Sequence, residues 1–229
     1  MQKDNYYIVS LGGSLIVPNE NIDWQYLKKF RALILTQIKK GNKFIIITGG
    51  GSTCRKYNVA AIKITKITDR DLDWIGIGAS RLNANLIKGI FSNFSSSGII
   101  KDPTEKINKQ KSVLVAGGWK PGWSTDYVAV TLAKEHKIKT VINLSNIDFA
   151  YDKDPKKYRG AKKIEETNWK EFRKIVGNKW IPGLNKPFDP IASKLAEKLK
   201  LKVVIMNGKK LKNLEKCLDN KKCVGTIIE

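Results

Sequence analysis

Residues 44–60, FIIITGGGSTCRKYNVA, pass from an apolar β-branched run into three glycines, two hydroxyl side chains, and then Arg55 and Lys56. Glycine lets backbone N–H groups approach an anion with no Cβ in the way, and a helix starting there adds the positive end of its dipole. An arginine close behind offers a planar fork suited to phosphate oxygens. A single glycine turn is often only a tight turn. Here the pattern recurs: Gly12-Gly13-Ser14 and Gly117-Gly118 also follow apolar runs directly. Three such turns point to a ligand carrying several phosphates.

The stretch Ala116 to Asp126, AGGWKPGWSTD, adds Lys120, a Pro-Gly turn, the hydroxyls of Ser124 and Thr125, and Asp126 at the opening of a helix. Its two tryptophans, Trp119 and Trp123, need a surface to stack on if they sit in a loop. Neither G-x-x-x-x-G-K-[ST] nor a G-x-G-x-x-G followed by a ribose-binding acid is present, so the site is of another kind. The single histidine, His136, lies at a helix end among lysines and is not a candidate base.

The elements that must position these residues are legible as short apolar runs ending at Leu11, Thr48, Ala116, Leu144 and Met206, read as buried strands. Between them lie helical patterns. Leu27, Phe30, Ile34 and Ile38 share one face, and Ile75, Ala79, Leu82, Leu86 and Ile90 another. Two shorter helices are TDYVAVTLAKEHK and DPIASKLAEKLK, the second with Asp189 as N-cap and Pro190 at its first position. Strands alternating with helices predict an α/β fold, with a largely parallel sheet covered on both faces. Ligands of such sheets sit beyond the carboxyl ends of the strands, where all three glycine turns fall. Residues 92–111, with SSSG and few apolar side chains, are expected to be a flexible insertion.

The chain has 229 residues, 41% of them hydrophobic, which suffices for a substantial core and is read as one domain over 1–229. A formal net charge of +22 invites a nucleic-acid reading, but the lysines are spread over most polar faces, so solvated helix surfaces are favoured over a dedicated nucleic-acid partner. The three cysteines, Cys54, Cys217 and Cys223, have no zinc-ligand spacing and predict free thiols and no metal site. The first residues lack the apolar core of a signal peptide, and no run is long enough to cross a membrane, so a cytoplasmic protein with no membrane partner is expected.

Six stretches carry a resemblance in order: SLGGSLIVP, TGGGSTCRKY, DWIGIGASRLNANLI, AGGWKPGWSTDYVAVTLA, NLSNIDFAYDKDPKKYRGAKKIEE and FDPIASKLA. Together they resemble the uridylate (UMP) kinases of the amino-acid-kinase superfamily, most closely the archaeal type, from about Ile8 to Leu199. The resemblance implies a three-layer α/β/α sandwich, a hexamer, and transfer of the γ-phosphoryl of MgATP to UMP, with Mg²⁺ bound mainly through the ATP phosphates. It implies that Gly50, Asp73 and the loop Trp119, Lys120, Pro121, Gly122, Trp123, Ser124 and Thr125 hold UMP. Gly13, Ser14, Gly51, Ser145, Asn146, Tyr151 and Asp154 would line the ATP side, with Arg55 on phosphates between the two and Asp126 and Asp189 near the reacting groups.

Some of these roles have alternatives in the residues themselves. Asp73 is either an acceptor for ribose hydroxyls or a helix cap. Many members of the superfamily have a phosphate-binding lysine in the first strand where this chain has Ser10, and archaeal-type UMP kinases also lack it; Lys194 is the candidate for the missing charge, or else a solvated helix lysine. The rivals for the whole chain are another phosphotransferase of the superfamily and a nucleotide-binding storage or regulatory protein without turnover.

Overall fold

The computed structural model describes residues 5–155, 157–179 and 186–229. The first half runs β1 (Asn5–Leu11), α1 (Gly13–Ile16), α2 (Trp24–Lys39), β2 (Asn42–Thr48), α3 (Gly51–Ile64), α4 (Asp69–Ile90) and β3 (Val113–Ala116). The second half runs α5 (Thr125–Glu135), β4 (Thr140–Ser145), β5 (Ala150–Tyr151), β6 (Lys163–Ile164), β7 (Glu166–Thr167), α6 (Trp169–Val176), α7 (Pro190–Lys198), β8 (Lys202–Asn207), α8 (Leu211–Leu218) and β9 (Thr226–Ile228).

Seven strands form one sheet in the order β3-β2-β1-β4-β8-β9-β7, and β5 and β6 make a separate hairpin. The five predicted strands are its parallel centre. They are apolar on both faces because helices cover both: in β2, Ile45 and Ile47 pack on one side while Phe44 and Ile46 pack on the other, all fully buried. α5, α6 and α7 supply the first layer, and α1, α2, α4 and α8 the second. The predicted α/β/α architecture is therefore the observed one. The sheet is mixed at one edge, where β9 runs antiparallel to β8 and β7 pairs with β9.

Two expectations need correction. On α4 the buried residues are Ile77, Ala79, Ser80, Asn83, Ala84 and Ile87; of the predicted face Ala79 is buried and Leu86 and Ile90 pack against the core, but Leu82 is 64% exposed. The apolar count misread the helix because its inner face is partly polar, its Ser80 and Asn83 serving the glycine turns. Residues 92–111 are not a detached excursion. Ser95 bridges to Val113 and Ile100 to Ala116, so the segment's first half is tied to β3 by two isolated bridges.

Helix starts follow side-chain chemistry. Asp23, Thr68, Ser124, Asn168 and Asp189 cap α2, α4, α5, α6 and α7, each accepting from a backbone N–H of the first turn. α1 and α3 open on glycine and have no side-chain cap. Gly51 takes a φ of 67°, and a Cβ there would lie 2.4 Å from the Gly13 carbonyl oxygen. Gly78, inside α4, has nothing within 4 Å of its would-be Cβ.

These two glycines predict opposite outcomes. Gly51→Ala should destabilise the protein by about 2–4 kcal/mol, from strain and overlap together. Gly78→Ala should stabilise it by up to about 1 kcal/mol through helix propensity. Denaturant unfolding of both variants measures the pair.

Candidate functional site

The sheet register brings the glycine turns to one edge. Leu11 pairs with Thr48 and Leu144, and Ile47 with Ala116, so Gly12, Gly49 and Gly117 all emerge from strand ends at the same level. Gly49 N–H donates to the Leu11 carbonyl at 3.1 Å, and Gly12 N–H to the Leu144 carbonyl at 2.9 Å. The turns touch backbone to backbone: a Cβ on Gly13 would fall 2.1 Å from the Gly51 nitrogen. The N-termini of α1 and α3 lie here without side-chain caps; the Leu15 N–H donates to the Gly12 carbonyl at 2.9 Å and the Ser52 N–H to the Val17 carbonyl at 3.0 Å, and the positive ends of both helices still face the turns, where an anion is favoured. Gly13, Ser14, Gly50 and Gly51 are thus brought together as expected, and Gly13 and Gly51 are required by chain packing as well.

Behind the turns lies Asp126, in the first turn of α5. Its Oδ1 accepts from Asn143 Nδ2 at 2.9 Å and from Ser10 Oγ at 3.4 Å, and its Oδ2 accepts from the backbone N–H of Asp189 at 3.2 Å. β1, β4, α5 and the start of α7 converge on this one carboxyl. It keeps a narrow opening to solvent but lies deep among protein atoms, and this desolvation, with the Asp189 charge, raises its pKa to about 7. Ser10 contributes a neutral hydroxyl here, so no cation pulls the value down. Asp189 is itself 5% exposed; burial raises its pKa, and its Oδ1 accepts from the Ala192 N–H at 2.6 Å as the predicted N-cap.

The loop after β3 is held by α4. Ser80 Oγ accepts from the Gly118 N–H at 2.5 Å, and Arg81 donates to the carbonyls of Gly118 and Trp119 at 3.0 and 2.9 Å. Asn83 donates to the Gly49 carbonyl at 2.7 Å, and Thr48 Oγ1 to the Ser80 carbonyl at 2.8 Å. Sequence reasoning missed Ser80, Arg81, Asn83 and Asn143; the available signal was a set of polar residues at helical and strand positions otherwise reserved for core.

Asp73 does not cap α4, because Thr68 does so one turn earlier. Its Oδ2 instead accepts from the Gly122 N–H at 2.7 Å. Asp73, Lys120, Pro121 and Gly122 line a cavity of about 700 Å³ together with Trp74 and Arg70. Trp119 and Trp123 find their stacking partners within the chain: their ring centroids are 6.0 Å apart, Trp123 lies 4.0 Å from Tyr127, and Lys120 Nζ sits 4.0 Å from the Trp119 ring. Ser124 and Thr125 form the cap and first residue of α5.

Ser145 ends β4 beside the Gly12 turn, with Asn146 next to it; the Ser145 carbonyl accepts from Gly208 N–H at 2.8 Å. Tyr151 and Asp154 belong to the hairpin beyond, Tyr151 paired with Lys163. Arg55 is exposed on α3, its guanidinium 3.5 Å from the Pro18 carbonyl. Lys194 is exposed, on the side of α7 away from its buried Ala192, Ser193 and Ala196, and bonds to neither Asp126 nor Asp189. The structure therefore does not bring Lys194 to the acids.

Comparison with known proteins fits this geometry. The profile of the Amino acid kinase family matches residues 5–207. A uridylate kinase of Methanospirillum hungatei is 31% identical over 224 residues, 96% of this chain and 93% of the relative. One from Sulfurisphaera tokodaii is 35% identical over 206 residues, covering 87% and 89%. The solved uridylate kinase of Archaeoglobus fulgidus superposes with a TM-score of 0.82 at 30% identity, over 97% of this chain and 99% of that one.

The Asp126 node predicts a pH dependence. Because the folded pKa of about 7 stands above the ordinary carboxyl value of 3.8, the folded state binds the proton more tightly, and stability falls as pH rises between these values. Asp126→Asn removes this titration. Its melting temperature should therefore decline less than that of wild type between pH 5 and pH 8; an identical decline would refute the assignment.

Proposed function

The chain belongs to the amino acid kinase family, in its uridylate kinase branch, and we propose that it transfers the γ-phosphoryl group of MgATP to UMP, giving UDP and ADP. The observation that carries this reading is similarity of 31–35% to uridylate kinases over nearly the whole of both chains. The glycine edge supports it independently. Two helix starts without side-chain caps and three glycine turns suit an anionic, phosphate-bearing ligand.

The reaction asks for positioning and charge neutralisation more than for proton removal. The second pKa of a nucleoside monophosphate is about 6, so its attacking oxygen is already anionic at neutral pH. Backbone N–H groups of Gly13, Gly50 and Gly51 cradle phosphates, Arg55 and Lys120 supply mobile positive charge, and Asp126 and Asp189 fix the floor against which both nucleotides close. UMP takes the side of Asp73 and the loop from Trp119 to Thr125. ATP takes the side of Ser14, Ser145, Asn146, Tyr151 and Asp154. Mg²⁺ held through the ATP phosphates would supply charge neutralisation there.

We extend the reading to a single domain over 1–229, a cytoplasmic enzyme with no dedicated nucleic-acid partner, and a homohexamer. Among the described residues no helix is long and apolar enough to cross a membrane.

A coupled assay of ADP release with UMP, CMP, dUMP and AMP tests the assignment. Turnover should be fastest with UMP and should require a divalent cation. Equal rates with all four acceptors, or none with UMP, would overturn it. Separately, Arg55→Ala should lower kcat/KM by about a hundredfold, the scale of lost charge-assisted phosphate contacts, with the melting temperature unchanged because the side chain is exposed. Wild-type kinetics in that variant would return Arg55 to the solvated surface.

A further inference from the structure

At the edge of the sheet where β8 meets β9, a cavity of about 1110 Å³ is lined by both Cys217 and Cys223, along with Lys202, Lys216, Lys221 and Lys222. The chain geometry brings these two thiols together. Asn213 on α8 makes two hydrogen bonds to the backbone of Val224, donating to its carbonyl at 2.7 Å and accepting from its N–H at 2.7 Å. Cys217 stands one helical turn beyond Asn213 on the same face. The intervening chain reverses tightly: Asn220 takes a φ of 55°, its N–H donates to the Cys217 carbonyl at 3.1 Å, and the Lys221 N–H donates to the Lys216 carbonyl at 2.8 Å. The returning strand is thereby pinned along α8, with Cys223 next to the pinned residue. Both thiols are free and partly accessible.

We propose that Cys217 and Cys223 form a dithiol site that is oxidised by peroxide to an intramolecular disulfide and returned to two thiols by an external dithiol. In the first step the Cys223 thiolate attacks the peroxide, forming Cys223–SOH and releasing hydroxide. In the second, the Cys217 sulfur attacks the sulfenic sulfur, the S–S bond forms, and the hydroxyl leaves as water with the Cys217 proton. Two electrons pass from the sulfur pair to the peroxide, and reduction by a dithiol reverses the net change through two exchanges.

The order of attack follows from the surroundings. Burial, with the facing Cys223 sulfur adding to it, pushes the Cys217 thiol up to about 12, so Cys217 keeps its proton. Cys223, which shares the lysine-lined cavity, is left as the attacking sulfur. Cys54 lies on α3, outside this cavity, and takes no part.

The test uses the whole purified protein. After exposure to a slight excess of hydrogen peroxide, wild type should lose two of its three titratable thiols, and tryptic mapping should yield CLDNK joined to CVGTIIE within one chain. Dithiothreitol should restore all three thiols. Cys54→Ser should yield the same joined peptides. Cys217→Ser should be trapped as a dimedone adduct at Cys223, whereas Cys223→Ser should show no such adduct at Cys217. Three thiols unchanged after peroxide, sulfinic acid at separate sulfurs in wild type, or joined peptides arising only between two chains would each overturn the proposal.

Discussion

The site rests on a contact between bare backbones. Gly13 and Gly51 approach so closely that neither position has room for a single extra carbon, and Gly49 closes the third side, where a Cβ would lie 2.7 Å from the Gly13 nitrogen. The parallel register of β1 and β2 brings the chain ends to the same height, and the glycines let them meet. Everything that follows inherits this geometry: the direction in which α3 leaves, its start without a side-chain cap, and the place of Arg55 one turn along it. Packing and anion binding therefore make the same demand on these residues.

The floor of the site follows a different logic. Burial of the Asp126 carboxyl and the nearby Asp189 charge raise its pKa to about 7 even though a serine hydroxyl, a carboxamide and a backbone N–H donate to it and pull the other way. Such a group is sensitive to whatever charge arrives above it. A cation carried in with a nucleotide would favour its ionised form, while an anion alone would favour its protonated form.

The sequence made the central strands legible because a sheet covered on both faces needs unbroken apolar runs, as in FIIIT, and made the helix starts legible where a cap residue stands before the helix, as at Asp189. What escaped notice were features decided by tertiary demand. Ser80 and Asn83 are buried polar residues whose partners, Gly118 and Gly49, are far away in the chain, so periodicity wrongly puts Leu82 on the buried face of α4. The short strands β7 and β9 pair only with distant neighbours and have too few residues to show alternation. The glycine turns and the acids were legible as residue types. Whether Asp73 caps a helix or grips a loop is a matter of one helical turn, and only the fold decides it.

α4 also fixes how the loop after β3 can move. Asp73 holds the loop at Gly122, and Arg81 holds it at Gly118 and Trp119, two anchor points about 12 Å apart along the axis of a single helix. A loop tethered at both ends to one rod has no hinge of its own. Displacing that loop therefore has to break one of these hydrogen bonds or carry α4 with it. In the latter case the exposed outer surface of that helix, Trp74 and Leu82 included, travels too.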